Sequence, residues 1–358
     1  MPSLKEIKGR INSISSTLAI TSAMKMVAAA KLQKAQMAIQ NMLPYERRLH
    51  SMLIDLMGAM NISAAASEDG SVRGSGSAER GFDQSGDRLS LSNRHDLAGM
   101  DGAYSLMAQR EVRKVAIVAF ASNSSLCGAF NSNVIREATA VINEYRASGL
   151  GDADITVYSV GRKMAEAMKK LGFPSPADFT KMSDSPSYEA ASALAQELLD
   201  GFVSGRFDKV ELVYNHYKST SSQPTIRQTY LPLSLADATA DIQVGKITDS
   251  ASESDTNRGA ETVGAPVVRQ GSPTTEDLIV EPSKEALIAI LLPKVIRLRI
   301  FTTLLDSAAA EHAARTVAMQ LATDNGNDLL QELTLEYNKG RQQKITSEIL
   351  DLVGGSMQ

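Results

Sequence analysis

The 65 residues from Lys294 to Gln358 contain no proline and carry apolar or small side chains at alternating steps of three and four. The series runs Leu298, Phe301, Leu305, Ala308, His312, Arg315, Met319, Ala322, Gly326, Leu329, Leu333. Such steps keep one stripe of a helix turned toward one partner, which is the seam of a coiled coil. At ~1.5 Å per residue this helix would be roughly 90 Å long, several times the width of a small domain. Its own domain cannot bury a rod of that reach, so the spacing predicts something long beside it.

The opposite end of the chain supplies a partner. Leu4, Ile7, Ile11, Ile14, Leu18, Thr21, Lys25, Ala28, Leu32, Ala35, Ile39 and Met42 follow the same alternation. Pro44 is expected to kink this helix or begin a new one, and Leu49, Leu53 and Leu56 resume the pattern. Pairing both ends, antiparallel and left-handed, is the simplest way to cover both stripes. The seam is not a strong zipper. It mixes Leu and Ile with Ala, Gly, Thr, His and Arg, and Gly326 and Gly340 each cost ~1 kcal/mol relative to alanine in a helix. Small residues permit close backbone approach, and polar ones on an apolar stripe point to an outer surface facing further partners.

Net charge is −4, and its distribution is uneven. Residues 1–50 hold eight Lys/Arg (Lys5, Lys8, Arg10, Lys25, Lys31, Lys34, Arg47, Arg48) against Glu6 and Glu46, a net of +6, so the remainder carries −10. A basic helix suits nucleic acid, a membrane surface or an acidic protein face, and a plain solvated face has the same composition. Cys127 is the one cysteine, so the chain has no disulfide framework or thiolate metal cluster of its own. No run of about 18 apolar residues is present to span a bilayer, and the amino terminus enters a helical pattern without a signal or transit peptide. A soluble protein of a reducing compartment, or one held at a membrane through partners, is expected.

Between the ends, residues 64–100 and 236–275 are rich in small and polar residues and read as mobile surface insertions, since they cannot offset their chain entropy by burial. Residues 111–235 differ. Val115–Phe120 and Ile155–Val160 are short β-rich runs, the first almost continuously apolar, as expected of a strand covered on both faces. Helices are expected over 131–147, 162–171 and 188–203, with further strands near 210–214 and 225–231. This alternation implies a doubly wound sheet. The domain reading is 1–60 an amino-terminal coiled-coil helix, 61–110 an insertion, 111–235 the central domain, 236–275 a linker, and 276–358 a carboxy-terminal coiled-coil helix.

The loop after the first strand, S-N-S-S-L-C-G-A-F-N-S-N (122–133), sits where such sheets bind ligands. A phosphate site would want several glycines and often a lysine. Only Gly128 is there, with no Lys or Arg, so a surface or docking loop is preferred over a nucleotide site. Cys127 has no nearby histidine to activate it. His50, His95, His216 and His312 are scattered and make no metal set. The acids form no catalytic pair. No catalytic constellation, cofactor or metal is expected.

Two long stretches carry a resemblance. E-H-A-A-R-T-V-A-M-Q-L-A-T-D-N-G (311–326) and L-T-L-E-Y-N-K-G-R-Q-Q-K-I-T-S-E-I-L-D-L-V-G-G-S (333–356) closely resemble the carboxy-terminal helix of the γ subunits of F-type ATP synthases. I-T-S-A-M-K-M-V-A-A-A-K-L-Q-K-A-Q (20–36) is similar to the matching amino-terminal helix. L-C-G-A-F-N-S-N (126–133) and L-V-Y-N-H-Y-K-S (212–219) are similar to that family's central domain. The likeness covers both ends and the middle in order and leaves the two insertions unmatched.

The resemblance implies an α/β fold class: a long antiparallel coiled coil of the terminal helices plus a central Rossmann-like doubly wound domain. It implies a non-catalytic rotor shaft inside a ring of three α and three β subunits, with the ε subunit and the membrane c-subunit ring below. No nucleic acid and no direct membrane insertion are implied. The expected location is peripheral, on the cytoplasmic face of a bacterial plasma membrane. By motif, Met24, Lys25 and Lys31 would face acidic loops of β, with Arg315 on the opposite helix at a similar level. Asn338, Arg341, Gln342, Thr346 and Glu348 match the polar group that engages the surrounding ring. For Arg315 and His312, hydrogen bonding within the coiled coil is an equal alternative.

Ser124 and Ser125 stand where the family has a basic residue and glycine, Gly340 where it has alanine, Val317 where it has methionine, and Ser356 where the terminal motif has alanine. A single cysteine also excludes the dithiol switch of chloroplast γ subunits. Two readings of other classes remain at this stage: a coiled-coil scaffold whose central domain binds an effector, and an enzyme built on that domain.

Overall fold

A computed structural model describes residues 3–59, 106–107, 109–233 and 284–355. Both stretches read as insertions, 64–100 and 236–275, lie outside the described residues.

Helix α1 (Leu4–Ala59, 56 residues) and the carboxy-terminal helix (Lys284–Gly355, 72 residues) run antiparallel as a pair. Between them lie β1 (Val115–Phe120), α2 (Phe130–Ala147), a 3-10 turn (Asp152–Asp154) and β2 (Ile155–Val160). Then come α3 (Arg162–Lys170), α4 (Thr180–Asp184), α5 (Tyr188–Val203), β3 (Lys209–Asn215) and β4 (Thr225–Leu231), so the carboxy-terminal helix is α6. The sheet order is β2-β1-β3-β4, parallel except for β4. The antiparallel β4 follows from its short connection to β3, since a parallel crossover needs a dozen residues or more.

Helices cover both faces. Val134, Ala138, Val141, Ile142, Met164 and Met168 bring α2 and α3 onto Val115, Ile117 and Val157. Leu194, Leu198 and Phe202 of α5 cover the other face, beside Leu49, Leu53 and Leu56 of α1 and Ile288, Leu292, Ile300 and Leu304 of α6. The root of the coiled coil is therefore one layer of the α/β body. Each buried leucine or isoleucine there contributes about 1.5–3 kcal/mol, which is what anchors the rod. On the interior strand β3 Glu211 is buried yet receives Lys209 (2.7 Å), Arg227 of the edge strand β4 (2.7 Å) and the Tyr145 hydroxyl (2.6 Å), so its charge is matched on several sides.

Two expectations about the helices are corrected. Pro44 neither ends α1 nor starts a new helix, and α1 continues through it to Ala59. One missing amide is tolerated because the following turns dock Leu49, Leu53 and Leu56 into the core. In α6 the stripe is also displaced. Leu329 is 45% exposed and Ala322 is exposed, whereas Thr323, Gly326, Leu330, Leu333, Tyr337 and Gly340 turn inward. Those inward positions still step by three and four. On α1 every residue of the expected stripe from Leu4 to Met42 is buried or half-buried.

The two glycines of the seam fix the register. A side chain at Gly326 would put its Cβ 2.7 Å from Leu18 Cδ2, and one at Gly340 would sit 3.1 Å from Leu4 Cδ2. Leu4 to Leu18 and Gly340 to Gly326 are the same two-heptad interval, so the pairing holds register, and Thr21 and Thr323 share a hydroxyl bond of 3.0 Å three residues on. Gly326→Leu restores about 1 kcal/mol of helix propensity but overpacks the seam by ~1–3 kcal/mol. A lower urea midpoint by circular dichroism is expected, with recovery when Leu18→Ala is added. A single variant as stable as the parent would show that the helices are not in this register.

Candidate functional site

No side chains on the sheet converge as a catalytic set would, and among the described residues no group of three or more His, Cys, Asp or Glu could hold a metal ion. The features that can do something are the shaft surface and the joint where the shaft leaves the body.

The joint is built from loops at the carboxy ends of β1 and β3. Loop 122–133 is closed on itself. Asn131 Oδ1 accepts from the Ser122 amide and hydroxyl (3.0 Å each), and its Nδ2 donates to Ser124 O (3.2 Å). Leu126 (φ 70°) is exposed at its tip. Gly161, at the start of α3, has φ 96° and no room for a Cβ, which would lie 2.0 Å from Ala121 O. These contacts occupy the Ser122 amide and the side chains of Ser122 and Asn131. The loop turns its back to α6, where Cys127 and Phe130 pack on Ala310. Cys127 is buried there as a small apolar residue.

Alanines make α6 narrow enough to be gripped on several sides. Ala309 and Ala313 meet Leu32 of α1, while Ala310 meets the loop. Polar bonds then fix the angle. Arg315 donates to Ser124 Oγ (2.7 Å) and pairs with Glu311 (2.8 Å). Asp306 takes the Tyr217 amide (2.9 Å) and His216 Nδ1 (2.6 Å), and Gln36 of α1 donates to the Tyr217 hydroxyl (2.7 Å). The Asp306 hydrogen bond and charge hold the His216 pKa above its ordinary value against partial burial. Burial pushes the Glu311 carboxyl up, and it outweighs the opposing pull of Arg315. Burial, with the positive fields of Arg315 and Lys31, lowers His312 to about 4.

Arg315 lies on the helix opposite Lys31 at a similar level, since residue 326 faces residue 18 and residue 323 faces residue 21. Its side chain is 12% exposed and its bonds run to its own helix and to the β1 loop, neither outward nor across the seam to α1. The Ser124 hydroxyl accepts from the guanidinium and so holds it against the β1 loop. The other candidates remain on the surface. Met24 and Lys25 are half-buried at the margin of the seam, and Lys31, Asn338, Arg341, Gln342, Thr346 and Glu348 are exposed. The first group and the second lie at opposite ends of the pair's outer half, since residue 340 sits opposite residue 4 and residue 323 opposite residue 21. Glu348 is reached by Lys344 at 3.8 Å, a solvent-exposed pair of little energetic weight. Asp306, His216, Tyr217, Gln36 and Ser124 gave no sign in the sequence, because they come from four separate segments.

A two-helix rod, exposed along its outer half among the described residues and rooted in one layer of a small doubly wound body, has the form of a stalk-type assembly subunit. A family model described as ATP synthase matches residues 3–357. The ATP synthase gamma chain of Phocaeicola vulgatus is 47% identical over 357 residues, with 100% of each chain covered. That of Bacteroides thetaiotaomicron is 45% identical over 358 residues, again with 100% of each covered. The chain belongs to this family of ATP synthase gamma chains. Among solved structures, a chain of the Euglena gracilis mitochondrial ATP synthase (OSCP/F1/c-ring, rotational state 3) has the same fold. Its TM-score is 0.52 at 19% identity, covering 99% of this chain and 93% of that one.

Proposed function

We propose that this chain is the central shaft of a rotary ATP synthase, carrying no catalytic group itself and coupling ion-driven rotation of a membrane c-subunit ring to nucleotide chemistry on β subunits. The observation that carries the reading is the bare outer half of the rod. Leu335, Leu350 and Leu352 stand 65–74% exposed on a helix pair that no other described residue covers. Apolar side chains in that number need an enclosing partner. A sleeve of three α and three β subunits fits, because one lopsided rod touches three equivalent sites unequally. Only unequal contact free energy can hold equivalent sites in different states.

Met24, Lys25 and Lys31 are assigned to acidic loops of β, and Asn338, Arg341, Gln342, Thr346 and Glu348 to loops of the ring further along. Exposed pairs of this kind are worth ~0–1 kcal/mol each, weak enough to break at every turn. The body is assigned to the ε subunit and the c ring. Peripheral attachment to the cytoplasmic face of a bacterial plasma membrane agrees with the bacterial relatives, and none of the described helices is long and apolar enough to cross a membrane.

The chain mixed with α and β subunits should give a complex that hydrolyses ATP in steady cycles, while the chain alone turns over none. Turnover by the isolated chain, or no complex, would remove the proposal. Within it, the pair Arg341→Ala and Gln342→Ala should lower ATP synthesis in membranes severalfold and leave nucleotide affinity of isolated β untouched. Undiminished synthesis would take both residues off the coupling surface.

A further inference from the structure

We infer that Asp306 is a positioning residue that locks the rotation of the α/β body to both helices of the shaft, through His216 and Tyr217 of the loop after β3 and Gln36 of α1. The inference rests on the reading of the chain as a turning shaft.

The location is the first reason. On α6 the main core cluster reaches as far as Leu304, and beyond it contact with the body thins to small or polar residues, Ala310 on Phe130 and Arg315 on Ser124 among them. Asp306 lies at that transition, where torque from the body must enter the free rod. From Asp306 to Gly355 the free arm is roughly 75 Å long at ~1.5 Å per residue. Apolar contacts below this point resist separation but are non-directional, so they oppose a slip about the rod axis poorly. With packed helices ~8–10 Å apart, a slip of about 1 Å at a radius near 5 Å is roughly 10° of lost rotation.

The geometry is the second reason. Both oxygens of one carboxylate are engaged, Oδ1 by the Tyr217 amide at 2.9 Å and Oδ2 by His216 Nδ1 at 2.6 Å, which fixes the loop in direction as well as distance. A carboxylate only accepts, so the His216 ring must carry its proton on Nδ1. The same loop residue then reaches the other helix, because the Tyr217 hydroxyl accepts from Gln36 Nε2 at 2.7 Å. One loop therefore ties α6 and α1 to β3, and through Asn215 Nδ2, which donates to Phe130 O at 3.1 Å, to the start of α2.

The clamp is also proton-dependent. The groups that face His216 are Asp306 from α6 and Lys218 on its own loop, and Gln36 from α1 is neutral. A histidine whose folded pKa is raised holds its contribution below pH 6.5 and loses it as pH rises through the higher folded value. The joint should be tighter at pH 6 than at pH 8.5.

The test uses the assembled complex with its α/β head immobilised and a probe on the exposed face of α3, recording the angular spread of the body during ATP-waiting pauses. Asp306→Ala should broaden the spread about twofold, with ATP hydrolysis still cycling. Parent spread should widen between pH 6 and 8.5, and His216→Lys, whose charge does not titrate there, should keep it narrow and flat with pH. That rescue is a response a merely structural aspartate would not give. If Asp306→Ala fails to assemble, the pair His216→Ala and Tyr217→Phe removes the loop's side of the clamp with Asp306 in place and should broaden the spread likewise. An unchanged spread in the assembling variant overturns the clamp. A parent body that never turns with ATP would instead sink the shaft reading.

Discussion

Leu305→Pro is expected to cost the chain its shaft. Leu305 is 6% exposed, one residue before the clamp aspartate, inside an unbroken helix. Proline there removes an amide bond and collides with the carbonyl of Phe301, ~3 kcal/mol or more, and deletes a buried side chain worth roughly 2–5 kcal/mol. The sum is comparable with the whole stability of an ordinary domain, about 5–15 kcal/mol. Its consequence is directional, because all of α6 beyond the break would swing off α1 and lose the Leu18–Gly326 and Thr21–Thr323 contacts together. No complex with α and β subunits should appear on a native gel. Leu329→Pro separates the two losses: that side chain is 45% exposed, so the body should stay folded while the rod alone bends. Normal assembly of Leu305→Pro would contradict a continuous axle.

The amino-terminal stripe was fully legible because Ile, Leu and Met stand on a helix with one partner for most of its length. The carboxy-terminal stripe was legible only as to type. Ile296, Ile300 and Leu304 turn to the body, Ala309 and Ala313 to α1, and Thr323, Gly326 and Gly340 to α1 again. One helix thus serves two partners, and a reading that assumes a single stripe drifts onto Ala322 and Leu329. Gly326 and Leu333 belong to both stripes, so nothing in the spacing warned of the slip. A straight helix already drifts ~20° per heptad against a strict repeat.

Strand and helix positions in the body were close, since Val115–Phe120 and Ile155–Val160 are short apolar runs, each followed by a helix, and α3 and α5 cover even the edge strand β2. Of the two outcomes expected at Pro44, a new helix does not begin there, because the burial of Leu53 and Leu56 a few turns on holds α1 continuous. The joint could not be read at all. Its hydrogen bonds unite Gln36, Ser124, His216, Tyr217, Asp306 and Arg315, residues whose pairing depends on the fold rather than on any spacing.

Acid should weaken this chain well before its carboxylates as a class are protonated. His50 is 4% exposed at the shaft root, its Nδ1 has no hydrogen-bond partner among the described residues, and burial beside Arg299 lowers it to about 4. His312, on α6 near the clamp, is lowered to about 4 in the same way, and its Nδ1 is likewise unpartnered. Both are neutral when folded and take a proton near pH 6.5 when unfolded. A lowered folded pKa means that the contribution is whole above 6.5 and is lost as pH falls from there toward 4, at up to ~1.4 kcal/mol per pH unit for each ring. His216 acts in the opposite sense only above 6.5, below which its gain is complete, and Glu311, whose carboxyl burial pushes up, offsets part of the loss as one group against two. The urea midpoint of the full chain should therefore fall steadily between pH 6.5 and 4.5, and His50→Gln with His312→Gln should flatten that slope even if it lowers the plateau. A midpoint that stays level from pH 7 to 5 would mean that water reaches these rings and that the junction of shaft and body is looser than the packing around Leu53, Ile300 and Ala313 implies.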